Sequence, residues 1–137
     1  MTAEVFLDTN ILLYACSSAP ADKEKRTIAE GLILDRDFAL SAQVLQEFVA
    51  NALRKPALGI SENGIDATLE LSTWASVLPI TPELVISATI LRRQFQISPW
   101  DATIVAAALE LGCQTLYSED LNPGQDYDGV RVLNPFQ

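Results

Sequence analysis

The sequence predicts an α/β domain whose parallel sheet is covered by helices on both faces. Three observations predict it. Short runs of strand-forming residues alternate with longer amphipathic segments. The longer segments open on capping residues or on proline. The chain has 137 residues, 49% of them hydrophobic, which is enough to bury a core without disulfide or metal. One domain over residues 1–137 is therefore expected.

The first strand is Glu4-Val5-Phe6-Leu7, stopped by Asp8-Thr9-Asn10. Asn10 is the expected N-cap of a helix over Ile11 to Ala15. After a polar break at Ser17 to Ala21, Asp22 to Leu34 reads as a helix with Ile28, Ala29, Leu32 and Ile33 inward. Phe38-Ala39-Leu40 forms the second strand. Ser41 caps a helix from Gln43 to about Arg54, with Val44, Leu45, Phe48, Val49 and Ala52 on one stripe. Another helix runs from Ser61 to about Ala75, and Val77 to Ile80 is the third strand. Thr81-Pro82 and Ser98-Pro99 open two further helices, the first to about Phe95 and the second to Gly112. Thr115-Leu116-Tyr117 and Val130-Arg131-Val132 are the fourth and fifth strands, separated by a polar loop from Glu119 to Gly129. Strands alternating with helices imply parallel crossovers. In such sheets the site lies at the carboxyl ends of the strands.

Composition narrows the chemistry. With no histidine, Ser-His-Asp and Cys-His catalysis and His-ligated zinc are excluded. Cys16 and Cys113 are far apart and outside any CxxC pattern, so they are expected to be small buried thiols in a reducing compartment. The start, Met-Thr-Ala-Glu, has no signal-like pattern, and the longest apolar run, Ile104 to Leu109, is too short for a membrane span. A cytoplasmic protein with no membrane partner is expected. The net charge of −9 favours a solvated surface and weighs mildly against nucleic acid.

Four acids nevertheless stand where a site belongs. Asp8 ends the first strand, and Asp120 follows the fourth. Glu47 lies in the helix after the second strand. Asp101 sits in the first turn of its helix, on the face shared with Ile104, Val105 and Ala108. Each has an ordinary reading: a turn or cap for Asp8, a solvated position for Glu47, a capping box with Ser98 for Asp101, a loop acid for Asp120. The capping box accounts less well for the face Asp101 occupies. Clustered carboxylates repel and cannot all stay ionised unless a cation joins them. With no imidazole or thiolate, an all-oxygen site selects Mg²⁺ or Mn²⁺, which shares its shell with phosphate and activates water.

The ordered segments Val5-Phe6-Leu7-Asp8-Thr9-Asn10-Ile11-Leu12-Leu13-Tyr14, Ser41 with Glu47-Phe48, Trp100-Asp101-Ala102 and Leu116-Tyr117-Ser118-Glu119-Asp120-Leu121 resemble a PIN-domain ribonuclease. Within that family the chain is similar to the VapC-type toxins of bacterial toxin–antitoxin pairs, including the closing Val132-Leu133-Asn134-Pro135-Phe136. The resemblance implies a five-stranded sheet in the order 3-2-1-4-5 and a homodimer. It implies Mg²⁺- or Mn²⁺-dependent RNA cleavage leaving 5′-phosphate and 3′-hydroxyl, and a small antitoxin that blocks the acidic pocket. By position Asp8, Glu47 and Asp101 match the three core metal-binding acids, and Asp120, or its neighbour Glu119, the fourth. Thr9 or Ser118 would supply a supporting hydroxyl, and Asn10 would orient the first Asp.

RNA needs a basic grip. Arg54-Lys55, continuing the Glu47 helix, is the favoured pair over Lys23, Lys25 and Arg26 or Arg92-Arg93; Lys23 and Lys25 alternate with Asp22 and Glu24 as a salt-bridged surface would. Trp100 is expected to pack in the core or an interface rather than stack on a base, and Trp74 to be core. A receiver domain would need an acidic pair after the first strand and an Asp ending the third, where Ile80-Thr81-Pro82 stands. A dehalogenase-type phosphatase needs Asp at position 10, which is Asn. A PIN nuclease of RNA processing and a non-catalytic PIN scaffold remain open. Neutralising four of the 18 acids would still leave a charge of about −5, so RNA must approach against the overall field.

Overall fold

The computed structural model describes residues 3–35 and 37–137. Its sheet has the order β3-β2-β1-β4-β6-β5. The strands are β1 Val5–Leu7, β2 Ala39–Ser41, β3 Ser76–Leu78, β4 Thr115–Tyr117, β5 Asp126–Tyr127 and β6 Val130–Leu133. Around them pack α1 Thr9–Cys16, α2 Lys23–Leu34, α3 Ala42–Arg54, α4 Glu62–Leu69, α5 Pro82–Phe95 and α6 Pro99–Glu110. All pairings are parallel except β5 with β6. The chain runs from β1 outward through β2 to β3, then crosses back to lay β4 on the other side of β1. The switch point of the sheet is therefore the gap beyond the carboxyl ends of β1 and β4, where open α/β sheets place their ligands.

The core follows from the strand and helix stripes. Phe6 and Leu7 are both fully buried, because the central strand has helices on each face. Val44, Phe48 and Ala52 bury the inner stripe of α3. In α6, Ile104, Val105 and Ala108 are buried with Ala102, Ala106 and Ala107 between them. Hydroxyl caps fix four helix starts: Ser41, Ser61, Thr81 and Ser98 accept from the backbone N–H groups of Val44, Gly64, Leu84 and Asp101.

Several expectations are corrected. The sheet gains a sixth, antiparallel edge strand inside the predicted polar loop, so the expected fifth strand is β6. The turn between β5 and β6 places Asp128 and Gly129 at φ +55° and +110°, the backbone that an Asp-Gly hairpin adopts, and Asp126 accepts from the Gly129 N–H at 2.6 Å. The N-cap of α1 is Asp8, whose carboxylate accepts from the Thr9 N–H at 2.7 Å, so Asn10 lies inside the helix. The helix from Ser61 ends at Leu69 and tightens to a 3-10 turn, Glu70–Thr73. There the Ser72 and Thr73 hydroxyls donate to the carbonyls of Leu69 and Glu70 and compete with the helical ladder. Ile28 is 40% exposed, while its neighbour Ala29 is buried. Trp74 is also 40% exposed; it meets Phe38 edge-on at 5.3 Å instead of filling the core. Trp100 is 69% exposed. Cys113 is buried, Cys16 only half-buried, and both are free.

Candidate active site

The site is built outward from β1 and β4. Their register pairs Leu7 with Tyr117, so the next residues, Asp8 and Ser118, stand side by side past the sheet edge. The Asp8 N–H donates to the Tyr117 carbonyl at 3.0 Å, and the Ser118 hydroxyl donates to Asp8 Oδ2 at 2.7 Å. With Thr9 N–H on Oδ1, both carboxylate oxygens are held. Burial pushes the Asp8 carboxyl up to about 6; the hydrogen bonds from Ser118 and Thr9 oppose this, and the charges of Asp120 and Glu47 add to it.

The same hydroxyl organises the fourth acid. Ser118 Oγ accepts from the Asp120 N–H at 3.1 Å and from Asn10 Nδ2 at 3.4 Å. Asn10 Nδ2 also donates to Asp120 Oδ2 at 3.2 Å. Asn10 thus holds Asp120 and Ser118, and touches Asp8 only through the serine. Glu119 lines the same cavity as these acids with its carboxylate already engaged: it accepts from Tyr14 Oη and pairs with Lys25 at 3.0 Å. Lys25 Nζ stands 4.6 Å from the centre of the Tyr14 ring. The expected local pairing of Lys25 with its acidic sequence neighbours gives way to this long-range one.

Glu47 is brought in by α3. Thr9 Oγ1 donates to its Oε1 at 2.9 Å and Gln43 Nε2 to its Oε2 at 3.2 Å. Gln43 Nε2 also donates to the Trp100 carbonyl at 3.1 Å, tying α3 to the start of α6. Asp101 is half-buried. Its carboxyl is raised by burial first, with Asp120 and Glu47 adding to the rise. Asp8, Glu47, Asp101 and Asp120 all line one cavity of about 460 Å³. Arg54 and Lys55 are on its wall, whereas Lys23, Arg26, Arg92 and Arg93 are not. Arg54 leans on Asn51 Oδ1 at 2.5 Å, and Asn51 in turn donates to the Glu47 carbonyl at 2.8 Å.

The PIN-domain family model matches residues 5–125. The chain belongs to the PIN-domain family. No curated protein matches it significantly. Among solved structures, this PIN domain is similar to the Mycobacterium tuberculosis toxin VapC20, described as cleaving the sarcin-ricin loop. The identity is 24%, with 85% of this chain and 89% of that one covered and a TM-score of 0.66. A Klebsiella pneumoniae toxin–antitoxin complex matches at 20% identity over 96% and 97% of the two chains, with a TM-score of 0.67. DNA-bound VapBC from Salmonella typhimurium matches at 19% over 95% and 96%, also at 0.67. These likenesses show a shared fold.

The donor set of this PIN domain fits a hard divalent cation: five carboxylates line one cavity, of which Glu119 is already paired with Lys25, two of the other four are raised by burial and mutual repulsion, and no imidazole or thiolate stands on the wall. Among the described residues no three acids already stand as a metal cage. Mg²⁺ does not need one, since it keeps several waters and binds through one or two carboxylates plus substrate phosphate. Sequence reasoning missed three participants. Gln43 precedes Glu47 and Asn51 follows it by one helical turn, and Tyr14 follows Asn10 by one turn, so the spacing alone could have found them.

Proposed function

We propose that this PIN domain is an Mg²⁺- or Mn²⁺-dependent endoribonuclease, the toxin of a type II toxin–antitoxin pair, leaving 5′-phosphate and 3′-hydroxyl ends. The observation that carries the reading is the gathering of Asp8, Glu47, Asp101 and Asp120 on one cavity, with Arg54 and Lys55 beside them. The likeness to VapC20, a toxin that cleaves the sarcin-ricin loop, and to toxin–antitoxin complexes supports RNA as substrate and a small antitoxin as partner. By the same likeness we infer a homodimer. We likewise infer a cytoplasmic setting from the likeness to the toxins; among the described residues no helix is long and apolar enough to cross a membrane.

Asp8, Asp101 and Asp120 would hold the cation, with Glu47 holding it or orienting water. When bound, the cation supplies charge stabilisation for the scissile phosphate and a more acidic water. The chain supplies the rest. Ser118 and the Thr9 N–H fix Asp8, Asn10 fixes Asp120, and Thr9 and Gln43 fix Glu47. A carboxylate held on both oxygens presents its charge without reorganising during reaction. Arg54 and Lys55 give the RNA backbone a positive contact within a negative protein.

Incubating cellular RNA with the protein tests this. Cleavage in Mg²⁺ or Mn²⁺ with 5′-phosphate ends is expected, and none in EDTA; cutting that survives EDTA overturns the reading. Growth arrest on expression, relieved by a neighbouring small gene, is expected of the toxin; a nuclease that causes no arrest belongs to RNA processing. Replacing Arg54 and Lys55 together by glutamine should weaken binding of single-stranded RNA. It should also flatten the slope of log K against log salt by roughly 1.4, about 0.7 per lost phosphate contact. An unchanged slope removes the pair from the interface.

A further inference from the structure

A second concavity, of about 530 Å³, adjoins the acid cavity and is lined by Gln43, Gln46, Glu47, Ile80, Val85 and Trp100, among others. We propose that it is a nucleobase subsite. One unpaired base of the bound RNA, next to the phosphate in the acid cavity, stacks on the Trp100 indole and is read along its edge by Gln43 and Gln46. The proposal rests on the ribonuclease reading and adds to it the part of the strand that is recognised outside the acids.

Four observations carry it. The two concavities adjoin at Glu47, which lines both, and the Gln43 amide bridges Glu47 Oε2 and the Trp100 carbonyl. Among the described residues Glu47 is the only charged one on this groove, so it suits the neutral part of a polyanion, its base, and not its phosphate. Trp100 leaves 69% of its surface open, and every base has a face that stacks on an aromatic ring. The orientation of Gln43 is fixed, since its two contacts are both acceptors and must meet the NH₂. Its Oε1 is then a buried acceptor without a hydrogen-bond partner. Such an acceptor is costly to leave unmade, so a small shift of the side chain that uncovers Oε1 to an exocyclic amine or ring N–H is favoured once the groove fills. A second copy of the chain is the other candidate occupant. The most exposed apolar residues of α5, Ile86 and Ile90, lie outside this groove, and two amides beside an indole suit a planar polar ring better than a helix face.

The test uses a short single-stranded RNA of mixed sequence, Mg²⁺, and the Asp8→Asn protein to suppress cutting. RNA should quench the tryptophan fluorescence, and Trp100→Ala should abolish that quench and weaken binding about tenfold. Trp100→Phe, which keeps an aromatic face, should retain most of the affinity. In cleavage by the Asp8-containing protein, Trp100→Ala should raise KM more than it lowers kcat. Sedimentation should be unchanged by either Trp100 substitution. Full affinity and quench in Trp100→Ala overturns the subsite and leaves the ribonuclease reading standing. A change in association state that accounts for the lost affinity overturns it in favour of a protein interface. If the unsubstituted protein neither binds nor cuts RNA, the ribonuclease reading falls and the subsite with it.

Discussion

Asp8→Asn is expected to abolish metal-dependent cleavage while making the metal-free protein more stable at pH 8. The activity loss should exceed about 100-fold, because losing even an outer-shell partner of a metal ligand costs 10–100-fold. The stability gain follows from the raised carboxyl. Its folded value is about 6 against an ordinary 3.8, so the folded chain prefers the protonated acid. Below about pH 3.8 both states hold the proton and the group costs nothing. The penalty grows from pH 3.8 to 6 and is complete above, reaching about 3 kcal/mol. Asparagine does not ionise and escapes it. The Ser118 hydroxyl already accepts from Asp120 and Asn10, so the amide NH₂ finds no acceptor there and the Ser118 hydroxyl loses its own; these unmade bonds cost about 2 kcal/mol. Denaturation in EDTA should show the variant about 1 kcal/mol more stable at pH 8 and about 1–2 kcal/mol less stable at pH 4. Mg²⁺ should raise the midpoint of the unsubstituted protein only. Equal cleavage, or a variant less stable at pH 8, removes Asp8 from this role.

What the sequence revealed was local. Val5–Leu7, the hydroxyl caps at Ser41, Thr81 and Ser98, and the Pro starts of α5 and α6 are set by neighbouring residues, and each element formed close to where those signals stand. Asp8, Asp101 and Asp120 stood out because strand ends and helix starts are local features too, whereas Glu47, in the middle of α3, drew notice only beside them. The Asp128-Gly129 turn signal was present, but two-residue β5 is too short to show alternation. The first turn of α6 is why Trp100 is not in the core, one of the two packings expected of it. A helical side chain leans over the turn that precedes it, and in the first turn there is none, so the indole has no helical surface of its own to cover and stays 69% exposed although Ile104 one turn on is buried. Contacts set only by the tertiary fold were out of reach. Lys25 meets Glu119 across 94 residues, and Gln43 meets Trp100 across 57.

Ser118→Ala should reduce both stability and cleavage, and the pH dependence of the loss separates its two roles. Ser118 is fully buried, and its one hydroxyl donates to Asp8 and accepts from Asp120 and Asn10. Alanine removes all three bonds. The Asp120 N–H and part of the Asn10 amide are left without an acceptor, which costs about 2–3 kcal/mol. Asp8 loses the contact that most lowers its carboxyl, so the carboxyl rises further and holds its proton at a pH where the unsubstituted protein has released it. A cation cannot bind a protonated acid as well. Cleavage should therefore fall about 10–100-fold near pH 6, and the deficit should shrink as pH or Mg²⁺ rises, because both favour the ionised form. A serine that only packed the strand end would give the same deficit at every pH and Mg²⁺ concentration. The pH–rate profile of Ser118→Ala, measured at low and at saturating Mg²⁺, decides between them. A flat deficit would mean that the serine supports the fold of the site without tuning its acid.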